Sequence, residues 1–426
     1  MSKVKQAPKI AIIGAGPGGL MLASILHHNN IPSIIFERET SAVAREQGGT
    51  LDIHAEAGQR ALHAAGLLDN FRKAIRQGGD SMRLLKKDGT VLIDVSDDGP
   101  PQQGAGDGDG EEINFIPGRP EIDRPVLKDI LVASLPPETI RWGSKVVSID
   151  SVPGTQQWAL TIKTDDNNEV NETFDLVVGA DGAWSRVRRL LTDTKPFYSG
   201  VTALDVCIED VDNAAPDVAA FIGLGNCFIF SAERALLFQR NGAGRARCYA
   251  CVRIGDGLPP SGRELLGLSD AESEDEVDWT NLRNRETFVE RNFSDYFPEA
   301  KRAVLAMGHA IVLRPLYMLP IGLTWKSQPG VTVLGDAAHL MTPFAGVGVN
   351  VALVDALELA EGVIDFVGTG AGRPDKLADM LAKFEKGMFE RSSVDAAQTQ
   401  ENMEFQFRDD GGEKMVEMMM QHGPPQ

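Results

Sequence analysis

Lys9 to Arg38 reads KIAIIGAGPGGLMLASILHHNNIPSIIFER, and this stretch decides the fold. The run Ile10 to Ile13 is apolar without alternation, as expected of a parallel strand buried on both faces. It passes directly into Gly-Ala-Gly-Pro-Gly-Gly. Leu20 to His28 then carries a helix, and Pro32 to Phe36 a second apolar strand. Strand, glycine turn, helix and strand open a doubly wound parallel sheet. Gly14, Gly16 and Gly19 form G-x-G-x-x-G, with Ala15 inside the turn. The first glycine permits the tight turn, the second lets a diphosphate approach the backbone, and the third lets helix and strand pack closely. Free amides at the positive end of the helix dipole complete an anion site.

Glu37 closes the second strand 23 residues after Gly14. A carboxylate there accepts from both ribose hydroxyls and disfavours a 2'-phosphate, so the nucleotide expected is FAD or NAD rather than NADP.

The rest of the chain bounds this reading. Its 426 residues exceed one core and suit two or three lobes. A formal charge of -19 argues against nucleic acid or an anionic membrane surface, because phosphates are repelled unless a local basic patch intervenes. No apolar run is long enough for a signal peptide or a membrane span. The four cysteines, Cys207, Cys227, Cys248 and Cys251, suggest reduced thiols and a cytoplasmic setting. A monomer is expected, and no metal: the histidines lack ligand spacing, and in Cys248-x-x-Cys251 two residues three apart on a strand face opposite ways.

Residues 97 to 112 are rich in Gly, Pro, Gln and Asp and suggest a solvated loop, as does the acidic stretch 269 to 278. A helix is expected near 124 to 135 and strands near 145 to 149 and 158 to 164, leading to the apolar run 174 to 178. Between 200 and 319 short alternating segments predict an antiparallel sheet. The buried-strand pattern returns at 331 to 334, so the first domain is discontinuous. Helices are expected at 349 to 367 and 374 to 392, with a frayed tail from 409. The expected boundaries are 1–195 with 330–372 for the nucleotide domain, 196–329 for the inserted domain and 373–426 for a C-terminal helical segment.

Two further motifs choose the nucleotide. Residues 179 to 189 read GADGAWSRVRR, and residues 335 to 350 read GDAAHLMTPFAGVGVN. With the first fingerprint, these resemble the three signatures of the FAD-dependent aromatic hydroxylases, the group A flavoprotein monooxygenases. The resemblance implies an α/β fold: a discontinuous Rossmann-like FAD-binding domain, an inserted antiparallel-sheet substrate domain and a C-terminal helix. Gly335 and Asp336 end a strand, where the carboxylate can accept from a ribityl hydroxyl. Gly346, Val347, Gly348 and Val349 bring amides and a helix N-terminus to the flavin. Asp181 is implied in FAD and nicotinamide binding.

FERETSAVAREQGGTLDIH at 36 to 54, PEIDRPVLKDIL at 120 to 131 and GDAAHLMTPFAG at 335 to 346 are similar to one subgroup, the tetracycline-degrading flavin monooxygenases. By that resemblance Arg38 and Asp52 contact FAD, Arg124 reaches its phosphate or ribityl chain, and Arg45 helps bind the nicotinamide. Lys128 stands where the subgroup has arginine, and Val347 where it has glutamine. An ungapped reading sets Asp205 and Cys248 at the drug-contacting glutamine and histidine, and Phe238 at a pocket aromatic. Phe344, on the glycine loop, is a fourth expected pocket residue, and a different substrate is implied.

The resemblance implies a monooxygenase that uses NADPH or NADH and O2 to hydroxylate or epoxidise a small aromatic or polycyclic metabolite through a flavin C4a-hydroperoxide. The chemistry is borne by the flavin, so no catalytic protein side chain is expected. A flavin oxidase or dehydrogenase on the same fold, or a non-catalytic flavin- or ligand-binding homologue, are the alternatives. His339 is read as a structural hydrogen-bonder.

Overall fold

The computed structural model describes residues 7–44, 48–95, 113, 115–255, 257–268, 276–370 and 374–422. A five-stranded parallel sheet has Ile10–Ile13 at its centre, flanked by Leu176–Gly179 and Val331–Val333 on one side and by Ser33–Phe36 and Ile140–Arg141 on the other. The uninterrupted apolar strands are those expected, because the sheet is buried in one core with helices and with apolar residues of a three-stranded antiparallel sheet. Pro17–His28 packs against the helix Gly348–Gly370, and their contact forms much of the first core. The chain thus returns to this sheet near residue 331 after a long excursion. Ser144–Ser151, Trp158–Thr164 and Glu169–Phe174 make a three-stranded antiparallel flap before it.

The excursion builds a seven-stranded sheet in the order His309–Met318, Phe197–Ile208, Ala246–Arg253, Arg234–Arg240, Asn226–Ser231, Met82–Leu85, Val91–Val95. Its last two strands come from before residue 196, and Asn226 to Ile229 pair in parallel with Met82 to Leu85. The hairpin therefore belongs to the second sheet, although the sequence reading placed it in the first domain. The outer face of this sheet is sealed by Pro216–Ile222, Leu282–Phe293 and Pro298–Ala306. The inner face turns toward the nucleotide domain.

Two C-terminal helices, Pro374–Gln406 and Gly411–His422, close the junction. The first runs past the turn Pro343–Ala345, and the second packs on the strands at Asn226–Ser231 and Val91–Val95. The expected fraying from residue 409 is thus not observed up to His422: Met415 and Val416 join a cluster with Phe344, Met403 and Phe407. Both are partly buried, so each contributes less than the about 1.5–3 kcal/mol of a fully buried large side chain while tying the short helix to the cluster. The expected loop at 97–112 and residues 269–275 of the acidic stretch lie outside the described residues.

Candidate active site

The glycine turn is held from behind. Gly14 has φ +107°, and a Cβ there would lie 2.9 Å from the Ala180 carbonyl carbon. At Gly19 a Cβ would lie 3.0 Å from Ala180 Cβ, so both glycines exist for packing. Gly16 differs: its backbone is extended (φ -76°, ψ 173°), and a Cβ would meet only Ala180 O at 3.9 Å. Gly16 is thus the glycine whose missing side chain leaves room for a ligand. It is also the N-cap of a helix with Pro17 in its first turn and no side-chain cap. The Glu37 carboxylate accepts from Ala15 N–H at 2.7 Å and Glu39 N–H at 2.9 Å, which fixes it at the rim of the turn with lone pairs to spare. Arg38 beside it is exposed and lies 3.5 Å from Glu39. Arg45 lies outside the described residues.

The second motif packs against the first through Ala180. Asp181 Oδ2 accepts from Arg186 N–H at 2.7 Å, while its Oδ1 is buried without a partner. Burial pushes this carboxyl upward, with Ser185 and the Arg186 amide opposing. Buried Arg188 donates to Ala337 O at 2.9 Å and Ala183 O at 2.7 Å, tying the second motif to the third. A separate surface cavity of about 160 Å³, lined by Val147 to Ile149 with Arg186, Arg189 and Leu190, shares only Arg186 with this arrangement.

In the third motif Gly335 caps the short helix Asp336–His339, and Asp336 lies open to solvent while surrounded by protein mass. This is the signature of a residue on a cleft floor. Burial pushes its carboxyl upward against the pull of His339 and Arg124. Behind it, Asp355, wholly buried, accepts from Gly335 N–H at 3.0 Å and from Arg391 Nη2 at 2.8 Å, and lies 2.6 Å from His339 Nε2. Burial disfavours the His339 imidazolium, but the Asp355 charge and hydrogen bond outweigh it and raise its pKa. His339 is therefore the structural group expected. It fixes the turn that presents Asp336.

The glycine loop is anchored by Asn350, the last residue of the third motif, and by Arg119, which lies outside every motif. Asn350 Oδ1 accepts from His54 N–H at 2.9 Å, and its Nδ2 donates to Asp52 O at 2.9 Å. The Asp52 carboxylate meets Arg119 Nε at 2.8 Å, and Arg119 Nη2 donates to Ala345 O at 3.4 Å. Gly346 sits on top in the left-handed region (φ +70°), with Arg119 and Asp52 where a Cβ would point. Val347, Gly348 and Val349 follow at the start of the helix Gly348–Gly370, whose first-turn amides lack intrahelical acceptors. Asp52, Gly346, Val347, Gly348 and Val349 are thus brought together. Arg119 carries no pattern of its own, so sequence alone did not single it out, and Asn350 was read only as the end of the third motif.

Across from this loop lies the inner face of the seven-stranded sheet. Arg124, whose Nε is buried without a partner, is lowered by burial, with Tyr249 and Asp336 opposing and Arg247 and Arg314 adding to the lowering. One neighbourhood therefore holds Arg124, Asp336, Tyr249, Arg247 and Arg314. Tyr249 Oη accepts from Gly49 N–H at 3.2 Å, joining the sheet to the segment before Asp52. Asp205 lies on this face, fully buried and gripped by two arginines.

Phe238 and Cys248 do not lie there. Both are fully buried in the outer core, where Phe238 meets Phe221 edge to face at 5.4 Å. Side chains alternate along a strand, so the residues on the inner face are their neighbours Leu237, Gln239, Arg247 and Tyr249; an alignment displaced by one residue inverts the face. Cys251 joins the inner cluster, so the two cysteines of the C-x-x-C do face opposite ways. Burial pushes the thiols of Cys227 and Cys251 up to about 12. Phe344 is buried at the junction, edge to face with Phe407 at 5.2 Å, and its carbonyl accepts from Asn402 and Gln406, each at 3.2 Å. Among the described residues no group of three His, Cys, Asp or Glu could hold a metal, and no helix is long and apolar enough to cross a membrane.

Residues 8–259 and 324–379 match the family model described as FAD binding domain. The chain belongs to the FAD-dependent aromatic hydroxylases. It is 31% identical to monooxygenase penA of Penicillium thymicola over 96% of this chain and 97% of that protein. Its fold resembles HpxO of Klebsiella pneumoniae complexed with FAD and uric acid (TM-score 0.68, 18% identity, 97% and 92% of the two chains). It also resembles tetracycline destructase Tet(51) (TM-score 0.64, 18% identity, 97% and 95%). The enzyme is an FAD-dependent monooxygenase, a family in which NAD(P)H is the typical co-substrate. The residues present fit FAD: a turn open at Gly16, an orphaned acceptor at Asp181, an orphaned donor at Arg124 and a solvent-open Asp336 on a cleft floor.

Proposed function

We propose that this hydroxylase places one oxygen atom from O2 on a small aromatic or polycyclic substrate lying between the glycine loop and the inner face of the seven-stranded sheet. Reduced by NAD(P)H, bound FAD supplies the oxygen-activating chemistry. The balance is substrate, O2, NAD(P)H and a proton giving oxygenated product, NAD(P)⁺ and water. The single observation that supports the reading is convergence: Arg124 is within electrostatic reach of Tyr249 and Asp336, and Tyr249 is bonded to Gly49 of the segment whose Asp52 pairs with the Arg119 that braces the glycine loop. In this reading Glu37 holds the adenosine ribose, Gly16 and its helix the diphosphate, Asp336 the ribityl chain and Arg124 the adjoining phosphate or ribityl oxygens. Arg38 and Asp52 lie along the same path, and Asp181 borders both nucleotides.

The protein's own work is positioning and exclusion of water. First-turn amides of the helix Gly348–Gly370 supply positive dipole where reduction adds negative charge. The uric acid complex of HpxO supports a substrate of small cyclic type. The test is NADPH or NADH consumption by FAD-loaded protein across a panel of phenols and polycyclic compounds, with product mass read under ¹⁸O2. A gain of one labelled oxygen is expected. Loss of two hydrogens without oxygen gain identifies a dehydrogenase instead.

A further inference from the structure

Behind the glycine loop three polar groups meet at one point. Arg119 Nε lies 2.8 Å from Asp52 Oδ2 and donates to His54 Nε2 at 3.1 Å, while His54 Nε2 lies 3.3 Å from the same Asp52 oxygen. A guanidinium nitrogen only donates and is always charged, so His54 Nε2 accepts and carries no proton. The neutral ring therefore holds its hydrogen on Nδ1, which lies 3.5 Å from Glu56 Oε1.

The ring cannot draw back from this contact. His54 is 5% exposed, and its backbone N–H donates to Asn350 Oδ1 at 2.9 Å, in the first turn of the helix Gly348–Gly370. Arg119 is freer: its side chain is 25% exposed, and its Nη2 reaches Ala345 O at 3.4 Å. The charged and titratable groups that face the imidazole are Asp52 and Glu56 on its own segment, Arg119, and Asp395 on the helix Pro374–Gln406. An imidazolium formed with a proton from solvent thus finds carboxylate acceptors on the spot. Its new hydrogen on Nε2 points at Asp52 and confronts Arg119 Nε–H, donor against donor and cation against cation. Asp52 then exchanges Arg119 for His54, and the more exposed side chain yields.

We propose that His54 is a positioning residue for the glycine loop: neutral, it holds Arg119 in the brace, and protonated, it releases Arg119 and weakens the hold on FAD. The inference rests on the reading above in placing that loop against the flavin.

The test is titration of apoprotein with FAD from about pH 8 to about pH 5, the interval in which histidine changes charge. His54→Gln offers an amide oxygen to Arg119 and has no charge to gain. Each protein's Kd is referred to its own alkaline value. On acidification the wild-type Kd should rise about five- to tenfold more than that of His54→Gln, the loss expected for the Arg119 brace. Arg119→Met should show only the smaller rise of His54→Gln, because the side chain through which protonation acts is gone. Nitrogen-15 shifts of the wild-type histidine rings at the alkaline end should include one ring protonated on Nδ1 and bare on Nε2 that responds to Arg119→Met. Parallel pH profiles of wild type and His54→Gln, full acid sensitivity in Arg119→Met, or the absence of such a ring overturns the proposal. Arg119→Met and the ring shifts decide the matter if His54→Gln folds poorly. Protein that takes up no FAD defeats the function proposed above instead, and the ring shifts of the apoprotein still decide the partner exchange at His54.

Discussion

Replacing Gly16 by alanine separates the anion cradle from the fold that builds it. The backbone there is extended, a conformation any residue adopts, and the new methyl group would meet nothing nearer than Ala180 O at 3.9 Å. Two small effects on the apoprotein oppose each other. Alanine restricts the unfolded chain, a gain of about 0.4–1 kcal/mol, and caps a helix less well than glycine, a loss of about 1 kcal/mol. Unfolding free energy should therefore stay within about 1 kcal/mol of wild type. The holoprotein should differ, because the methyl group stands where a diphosphate must touch the backbone. An overpacking cost of about 1–3 kcal/mol raises the Kd for FAD about 5- to 150-fold.

The assay is titration of apoprotein with FAD, followed by quenching of flavin fluorescence, beside urea unfolding of the same apoproteins. Gly19→Ala is the contrasting control. Its methyl group would lie 3.0 Å from Ala180 Cβ and 3.3 Å from Ile12 Cγ2, so helix and strand must part and the unfolding midpoint should fall. Unchanged FAD affinity in a stable Gly16→Ala protein would refute the placement of the diphosphate against this turn.

His339 gives a pH signature. Its folded pKa is raised above the ordinary 6.5, so the stability contributed by the charged pair with Asp355 is complete below that value and is lost as pH climbs through the raised one. The urea-stability difference between wild type and His339→Gln should narrow over that climb, and a difference flat in pH contradicts the account. Arg119→Met removes the 2.8 Å ion pair to Asp52 and the bond to Ala345 O that brace the glycine loop. FAD affinity should fall about five- to tenfold with partial rescue by Arg119→Lys, given the strength of charge-assisted bonds at a partly exposed site; unchanged affinity in both variants removes Arg119 from the cradle.

Which parts of this site were legible in the sequence follows from what each part must recognise. A diphosphate is held by backbone amides and a close approach, so Gly14, Gly16, Gly19 and Glu37 are set by spacing within one strand-turn-helix unit. The glycine loop is local in the same sense. Arg119 and Asp52 are 67 positions apart and meet only because the strand Thr50–Asp52 pairs with Glu121–Asp123, which leaves no periodic trace. The pairing of Asn226 to Ile229 with Met82 to Leu85 is equally non-local, so the domain boundary was misjudged there. The helix Gly411–His422 is held by its docking on the sheet rather than by its own composition. Substrate recognition fails differently. It hangs on side chains of a pleated sheet, where one residue of slip exchanges the inner face for the outer, and Cys248 was taken for what is physically the place of Arg247 and Tyr249. A cofactor common to a family is thus read from backbone motifs. A substrate peculiar to one member must be read from which face each strand residue occupies, and that is decided by the register of the folded sheet.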